Sequence, residues 1–270
     1  LVKTPGVVYA IAMAVKAFSK EGDGVIIQQP VYYPFSEMIL SNNRKLINSP
    51  LVIKDGRYEM NFEDFEKKIV ENQVKLFILC SPHNPVGRVW SKEELKRIGD
   101  ICIKHNVVIF SDEIHADFVY PGNKHTVFAS LGEEYAANSV IATAPSKSFN
   151  IAGLQVSNIF IENKKLRDAF KNEIVKSGYS QMNTMGLVAA RAAYESGQEW
   201  LDAVRGYIKG NLDFLRDYLK ENIPQVKLIE PEGTYLVWVD LRELGLTEEE
   251  REDLIVNKAK LWIDSGAMFG

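Results

Sequence analysis

The sequence predicts an α/β fold, with a mainly parallel sheet between helices and a smaller α+β unit at the C-terminal end. Short apolar runs rich in Val, Ile and Phe recur along the first part of the chain. Segments with apolar residues at helical spacing separate these runs. Because strands that are apolar throughout must be covered on both faces, this alternation is typical of a parallel sheet with helices on each side.

The first elements alternate between helix and strand. Residues 6–19 carry apolar side chains at helical spacing, and the turn KEGDG ends the predicted helix. The run VIIQQP at 25–30 predicts a buried strand, which Pro30 ends.

The middle of the chain carries clear helix start signals. Asn61 is the expected N-cap of a helix over 61–72, with acidic residues in its first turn. Ser91 and Glu94 form a capping-box pattern at the start of a predicted helix over 91–106. The remaining predicted strands are 74–80, 107–112, 139–144 and 155–161.

The C-terminal part has a different pattern. A single long helix is predicted over 197–222, a pair of strands over 226–241 and a helix over 247–264. We therefore expect a large domain over 1–200, and a connecting helix with a small, incomplete domain over 201–270. Because the chain opens and stops abruptly, the sequence predicts that it is truncated at both ends.

Composition narrows the class of function. The hydrophobic content of 46% and charged content of 25% are ordinary, and the net charge of −4 argues against nucleic acid or an anionic membrane as a partner. Cys80 and Cys102 form no CxxC pair, which argues against a disulfide framework. No signal peptide and no apolar stretch of about 18 residues occurs, so we expect a cytoplasmic protein.

Chemistry-bearing residues follow the predicted strands. Ligands of open α/β sheets bind beyond the carboxyl ends of the strands. The motifs PVYYP, SPHNPVG, DEIHAD and PSKSFN come directly after four such strands, and TPG precedes the first helix. These motifs place the following side chains at one edge of the predicted sheet: Tyr32, Asn84, Asp112, His115 and Lys147.

The order TPG, PVYYP, HNPVG, SDEIH, SKSFNIAGLQ resembles the fold-type I enzymes of the aminotransferase class I/II family, which depend on pyridoxal 5′-phosphate (PLP). SDEIHADFVY and SKSFNIAGLQ are most similar to the bacterial cystathionine β-lyase, or C–S lyase, branch. The resemblance covers nearly the whole chain. It implies a PLP cofactor, an amino-acid substrate and a homodimer whose subunits share their active sites.

The resemblance gives Lys147 and Asp112 the central roles. Lys147 matches the lysine that binds the cofactor covalently and then removes the Cα proton of the substrate. Asp112 matches the carboxylate beside the pyridine nitrogen, where a negative charge favours the protonated ring that withdraws electrons best. Without the resemblance, Asp112 would be interpreted as a strand-end cap and Lys147 as an exposed loop lysine.

Two further matches concern the cofactor ring. Asn84 matches the asparagine that donates to the 3′ oxygen, although Asn-Pro is also an ordinary turn. Tyr32 matches the aromatic residue that stacks on the ring, an interaction of roughly 0.5–1.5 kcal/mol beyond burial. A core tyrosine is the alternative, and Tyr33 is a neighbour that could take the stacking role.

The phosphate is assigned to the start of the first helix and to the lysine motif. Gly6, Val7 and Val8 offer backbone N–H groups at a helix N-terminus, which suits an anion. Ser146 resembles the hydroxyl that contacts the phosphate beside the lysine, although it could equally be a helix cap.

Two positions depart from the common family pattern. His115 stands where many members carry a tyrosine that donates to the 3′ oxygen, and an imidazole ordinarily titrates near neutrality. A buried core histidine is the alternative. Gln155 stands where typical aminotransferases carry an arginine that pairs with the phosphate, and the C–S lyase branch shares this glutamine.

We therefore predict a PLP-dependent C–S β-lyase that cleaves a sulfur amino acid to pyruvate, ammonia and a thiol, with an aminotransferase as the alternative. His115 and Gln155 favour the lyase. A non-catalytic regulatory protein on the same fold is a remote alternative, since it would be expected to lose Lys147 or Asp112 first. The family's substrate-carboxylate arginine matches none of the following by motif: Arg191, Arg205 and Arg242.

Other enzyme classes fit less well, and no metal site is predicted. A nicotinamide-dependent dehydrogenase would need a GxGxxG turn, which the sequence lacks. A metal-dependent hydrolase would need an HExxH or similar frame, also lacking. Its ligands would have to come from His83, Asp112, His115 and Asp117.

Overall fold

The computed structural model describes all 270 residues and contains eleven strands. Seven of them form one sheet in the order β1-β9-β8-β7-β6-β2-β3, while β4 pairs with β5 and β10 pairs with β11. Their bounds are β1 (Val2–Thr4), β2 (Gly24–Ile27), β3 (Lys45–Asn48), β4 (Val52–Lys54), β5 (Arg57–Glu59), β6 (Leu76–Cys80), β7 (Val108–Asp112), β8 (Ser139–Thr143), β9 (Ser157–Phe160), β10 (Lys227–Ile229) and β11 (Trp238–Asp240).

Ten α-helices connect or flank these strands. Their bounds are α1 (Val7–Phe18), α2 (Pro34–Leu40), α3 (Phe62–Asn72), α4 (Lys92–Lys104), α5 (Glu133–Ala137), α6 (Pro145–Ser148), α7 (Lys164–Lys176), α8 (Thr184–Ser196), α9 (Gln198–Asn222) and α10 (Glu248–Glu252). No helix is both long enough and apolar enough to span a bilayer.

The main sheet is parallel through β3, β2, β6, β7 and β8, which confirms the predicted α/β fold. The strands β9 and β1 close one edge in antiparallel pairing. Because the five parallel strands run in the same direction, their carboxyl ends lie along one edge of the sheet.

Side chains of the central strands alternate between two cores. In β6, Leu76 and Ile78 face the core formed with α1 and α7, whereas Phe77 and Leu79 face the core formed with α3 and α4. Burying each such side chain contributes roughly 1.5–3 kcal/mol relative to exposure. These apolar runs therefore form the predicted sheet, which helices cover on both faces.

Two predicted helix starts have the expected caps. The Asn61 side chain accepts a hydrogen bond from the Asp64 backbone N–H at 3.1 Å at the start of α3. At the start of α4, the Ser91 hydroxyl accepts from the Glu94 backbone N–H at 3.1 Å, and the Glu94 carboxylate accepts from the Ser91 N–H at 2.8 Å. The capping-box prediction is confirmed.

The predicted helix over 247–264 is wrong in its second half. The α-helix α10 ends at Glu252, a single π-helical segment covers Asp253–Lys258, and Lys260 adopts a left-handed φ of 56°. The apolar residues beyond it are exposed, with Trp262 at 88%. Because these side chains find no core to pack against in this chain, their spacing alone does not maintain a helix.

Candidate active site

The carboxyl ends of β6 and β7 meet at the centre of the sheet. Cys80 and Asp112, the last residues of these strands, are register partners, and the Ser81 N–H donates to the Asp112 carbonyl at 2.9 Å. Side-chain alternation along β7 places Asp112 on the same face as Phe110, which belongs to the core under α1. Asp112 therefore faces the side of the sheet where α1 begins.

Asp112 is a buried carboxyl group with few partners. One of its oxygens accepts from the Ile114 backbone N–H at 3.1 Å, and the side chain is only 5% exposed. Burial raises the pKa of Asp112 to about 7, although the Ile114 hydrogen bond and the charge of Lys147 oppose this shift. A buried carboxyl group of this kind is suited to a cationic partner held against it.

Lys147 lies in the one-turn helix α6 at the exit of β8, and it is partly buried. Its charge acts on both Asp112 and His115, so the three groups share one site. The next residue, Ser148, donates a hydrogen bond to the Asp117 carboxylate and ties this turn to the loop after β7. Ser146 is half-buried in the same turn.

His115 is buried, and its Nδ1 atom has no hydrogen-bond partner within the chain. Burial, together with the charge of Lys147, lowers the pKa of His115 to about 4. This pKa lies below the ordinary range of an imidazole, because burial excludes water from the ring. At neutral pH the imidazole carries one N–H donor and one acceptor nitrogen.

Asn84 and Tyr32 come together at the same edge. The Tyr32 N–H donates to the Asn84 carbonyl at 3.1 Å, and the Asn84 N–H donates to Cys80 Sγ at 3.3 Å. The Asn84 side-chain oxygen is buried without a partner. The backbone thus holds the Asn84 amide beside the Tyr32 loop, with hydrogen-bonding capacity left for a ligand.

The Tyr32 ring packs against aromatic neighbours, with ring centroids 5.4 Å from Tyr33 and 6.1 Å from Phe35. Burial raises the pKa of Tyr32 to about 12, and the neighbouring Tyr33 and Asp112 act in the same direction. Tyr32 therefore keeps its proton, and it lies close enough to Asp112 to sense its charge.

The start of α1 suits an anion. Gly6 is the N-cap and provides no side-chain cap, and a Cβ added there would meet nothing within 4 Å. The Thr4 hydroxyl donates to the Gly6 carbonyl at 3.2 Å and fixes this turn. The first N–H groups of α1, including those of Val7 and Val8, are thus free of any side-chain cap and border open space.

Gln155 is exposed and left-handed, with a φ of 51°, at the end of the short turn Ala152–Leu154 that follows α6. Its role toward a phosphate stays a prediction.

Two of the residues considered for a metal site have other partners. His83 donates from Nε2 to the Pro30 carbonyl at 2.9 Å, and Asp117 accepts from Ser148. No group of three or more His, Cys, Asp or Glu side chains is arranged to hold a metal ion.

Sequence reasoning missed Tyr235 at this site. Its ring centroid lies 5.4 Å from that of His115 and 5.1 Å from that of Phe118. Tyr235 falls within the predicted strand pair over 226–241, but only β10 and β11 at its two ends are strands. The Gly-Thr pair before Tyr235 is the one local signal that the strand pattern is interrupted there.

Comparison with known proteins decides the family. The model of the aminotransferase class I and II family matches residues 1–270. The chain belongs to this family. Cystathionine β-lyase PatB of Bacillus subtilis (strain 168) is 43% identical over 267 residues, which is 99% of this chain and 69% of that protein. Cystathionine β-lyase of Corynebacterium glutamicum is 34% identical over 268 residues, covering 98% of this chain and 69% of that protein.

Solved structures are similar over the entire chain. Cystalysin from Treponema denticola, described as containing PLP, is 42% identical with a TM-score of 0.97, and the match covers 100% of this chain and 68% of that one. A PLP-bound protein of Clostridium difficile 630, described as a putative aminotransferase, is 45% identical with a TM-score of 0.97, covering 100% of this chain and 69% of that one. The fold of this family member is therefore that of PLP enzymes.

Proposed function

We propose that this chain is the catalytic region of a PLP-dependent C–S β-lyase, which converts a sulfur amino acid and water to pyruvate, ammonia and a thiol. The observation that carries the proposal is the set of buried groups with unused hydrogen-bonding or charge capacity around Lys147, namely Asp112, His115 and Asn84. Relatives named cystathionine β-lyase support it at 43% and 34% identity.

Each chemical group of PLP has a matching residue at the carboxyl edge of the sheet. Asp112 is the buried carboxyl group for the protonated ring nitrogen, and burial raises its pKa even though the charge of Lys147 acts in the opposite direction. The side-chain amide N–H of Asn84 and the ring N–H of His115 would donate to the 3′ oxygen. Tyr32 supplies an aromatic ring for stacking, and the open start of α1 supplies N–H donors for the phosphate.

Each residue has a defined task in the proposed reaction. Bound PLP supplies an electron-withdrawing ring that acidifies the Cα–H bond of the amino acid. Lys147 would hold the cofactor at rest and would accept the Cα proton of the substrate. Asp112 keeps the ring nitrogen protonated, while the neutral His115 donates its proton in a hydrogen bond without adding charge. After the thiolate has left Cβ, the rest of the substrate reacts with water to give pyruvate and ammonia.

Ser146 and Gln155 complete the proposal. Ser146 lies beside Lys147 in α6 and is assigned to the phosphate through its hydroxyl. Gln155, at the end of the following turn, is assigned a neutral hydrogen bond to the phosphate region. Because Gln155 carries no charge, most of the anion binding falls to the backbone N–H groups of Gly6, Val7 and Val8.

An aminotransferase is the second candidate, because the C. difficile structure is described as a putative aminotransferase and an aspartate aminotransferase of Geobacillus stearothermophilus is 28% identical. The test is to incubate the PLP-loaded protein with cystathionine and to assay pyruvate without any added keto acid. Pyruvate release supports the lyase. Conversion that requires a keto acid acceptor would favour the aminotransferase instead.

A homodimer is part of the proposal, as is the cytoplasmic location expected from the sequence. Apolar side chains on α8 are exposed in the single chain, including Met185 and Val188. A second copy covering this face would remove the side chains from water. Sedimentation of the protein at micromolar concentration, with Val188→Asp as the disrupting variant and Lys164→Asp as an exposed control, tests the dimer.

A further inference from the structure

We infer that Tyr235 is a positioning residue that fixes the orientation of the His115 ring in the active site. The inference rests on the proposed function and extends it to a residue outside the cofactor motifs. Tyr235 belongs to residues 230–236, a segment between β10 and β11 that we call the β10–β11 connection.

Backbone hydrogen bonds fix the connection to the two loops that carry Asn84 and His115. The N–H groups of Glu232 and Gly233 both donate to the Gly87 carbonyl, at 2.8 and 2.9 Å. On the other side, the Thr234 N–H donates to the Phe118 carbonyl at 2.7 Å. The β10–β11 connection therefore lies between the loop after β6 and the loop after β7.

The backbones approach too closely for larger residues at the glycines. A Cβ added at Gly233 would lie 2.8 Å from the Phe118 carbonyl oxygen. A Cβ added at Gly87, which has a left-handed φ of 72°, would lie 2.6 Å from Pro231 Cβ. Thr234 is itself left-handed, with a φ of 68°, and is buried. A non-glycine residue adopts this conformation only where the surroundings hold it, so the path into Tyr235 is tightly defined.

A buried ion pair anchors the same connection. The Glu232 carboxylate accepts from the Val89 N–H at 2.8 Å and from Arg88 Nε at 2.9 Å. Burial alone would raise the pKa of Glu232, but the Val89 N–H and the Arg88 charge hold it below its ordinary value. The residue three positions before Tyr235 is thus a fixed anion rather than a mobile side chain.

The Tyr235 ring uses this fixed position to contact His115. The two rings are 5.4 Å apart at an interplanar angle of 62°, and Phe118 packs on Tyr235 at 5.1 Å and 86°. Edge-to-face contacts of this type restrict ring rotation and exclude water. The Tyr235 hydroxyl also lies near enough to Tyr32 to influence it electrostatically. Tyr235 therefore contacts His115 and lies near Tyr32.

The consequence for His115 is a fixed, dehydrated imidazole. Its Nδ1 atom has no protein partner, so a ligand atom is needed to complete its hydrogen bonding. The charged group that acts on the ring is Lys147, whose cation opposes protonation, as burial does. Without the Tyr235 ring, water would reach His115 and the imidazole would gain rotational freedom.

The test uses the cofactor-free protein, whose four histidines make ¹⁵N-histidine NMR spectra simple to assign. In the wild type, His115 is expected not to titrate between about pH 5 and 8. In Tyr235→Leu, hydration should move its midpoint up toward the ordinary histidine value of about 6.5. Tyr235→Phe keeps the ring contact and should behave as the wild type, while Tyr207→Leu, at a tyrosine that is 73% exposed on α9, is the matched control.

A second readout uses the PLP-loaded enzyme. Tyr235→Leu is expected to lower kcat about tenfold with little change in KM, and Tyr235→Phe to restore kcat to within about twofold of the wild type. If Tyr235→Leu does not fold, as judged by its melting temperature, Tyr235→Met replaces it, since methionine fills the volume without an aromatic ring.

The outcomes separate this inference from the proposed function. An unchanged His115 titration in Tyr235→Leu or Tyr235→Met, with kinetics equal to those of Tyr207→Leu, would overturn the positioning role. A shifted titration in a protein that releases no pyruvate would support the Tyr235–His115 contact and reject the lyase assignment, because the NMR measurement requires no catalytic activity.

Discussion

Two of the clusters of buried polar side chains in the chain differ in how their hydrogen-bonding groups are satisfied. One surrounds Arg88, at the junction of the β6–α4 loop with the β10–β11 connection. The other surrounds Lys147, at the carboxyl edge of the sheet. Burying a polar group costs free energy unless the group finds a hydrogen-bonding partner. A fully paired cluster is therefore expected to have a structural role, whereas an incompletely paired cluster is a candidate binding site.

The Arg88 cluster is fully paired. Its guanidinium donates to Glu232 and to Glu94, both at 2.9 Å, and to the carbonyl of Tyr58, while the cation lies 4.4 Å from the Trp90 ring centroid. The side chain is 2% exposed. Each of the three guanidinium nitrogens donates to a protein acceptor. We regard this cluster as a structural anchor.

The Lys147 cluster is incompletely paired. Nδ1 of His115 and the side-chain oxygen of Asn84 have no partner, and burial raises the pKa of Asp112 to about 7. Such groups are stabilised only when a cofactor supplies the missing partners. This difference is what we expect if the proposed PLP site binds its ligand at some expense of the stability of the cofactor-free protein.

The largest expected effect comes from a substitution of Asp112. Asp112→Asn should lower lyase activity by about 10³-fold or more, because the amide cannot hold a positive charge on the ring nitrogen. The same change should stabilise the cofactor-free protein at pH 8, since the buried carboxyl group must otherwise ionise there. The two effects have opposite signs, as expected for a site shaped for binding.

The pH dependence gives the control for Asp112. A folded pKa of about 7, above the ordinary value near 4, means that this group contributes stability at low pH that is lost as pH rises through 7. Asp112→Asn should therefore raise the unfolding free energy by roughly 2–4 kcal/mol at pH 8 and by little at pH 4. Urea unfolding at both pH values measures this, and equal effects at the two would contradict the assignment.

Removing the Arg88 side chain should destabilise the protein, whereas Asp112→Asn should stabilise it. Arg88→Ala removes the buried cation that Glu94 and Glu232 share and leaves Glu232 with only the more exposed Arg57, so we expect a loss of roughly 3–5 kcal/mol of unfolding free energy. Arg57→Ala is the matched control, because Arg57 pairs with the same Glu232 at 2.7 Å but is largely exposed, and its loss should cost about 1 kcal/mol or less. Comparable losses in the two variants would remove the distinction between buried and exposed pairing.

A smaller loss of stability is expected when the N-cap of α4, which lies next to the Arg88 cluster, is removed. Ser91→Ala removes the N-cap hydrogen bond of α4 but leaves the contact between Glu94 and Arg88 in place. We expect a loss of about 1 kcal/mol, which is typical for a cap. A loss as large as that of Arg88→Ala would mean that the cap and the ion pair act as one unit, and thermal unfolding of both single variants and the double variant decides this.

An exposed ion pair should have the smallest effect. Lys164 and Asp168 form a pair one turn apart on α7, and both side chains are exposed. Lys164→Ala should change the unfolding free energy by about 0.5 kcal/mol or less. A larger change, measured by the same urea titration, would show that the contrast with Arg88 does not depend on burial.

The sequence predicted the Lys147 edge well because its residues lie at fixed points of a regular pattern. Asp112, Asn84 and Lys147 each follow an apolar strand, and parallel strands bring their ends together whatever the details of packing. The caps at Asn61 and Ser91 were predicted for a similar reason, since they depend on residues within one helical turn.

The Arg88 cluster and Tyr235 could not be predicted in the same way. The partners of Arg88 include Glu232, which is 144 residues distant in sequence, and no local pattern specifies such a contact. Tyr235 lies in an interrupted strand whose path depends on close contacts at Gly87 and Gly233. The helix predicted over 247–264 failed because local spacing does not reveal whether a core is available.

The most direct test of the account is to locate the cofactor on the chain. The protein is loaded with PLP and reduced with borohydride, and its peptides are analysed by mass spectrometry. The account predicts a pyridoxyl group on Lys147, absent from Lys147→Ala, and still present on Lys147 in Arg88→Ala wherever that variant remains folded. A pyridoxyl group on another lysine, or none on the folded wild-type protein, would contradict the assignment of this edge as the PLP site.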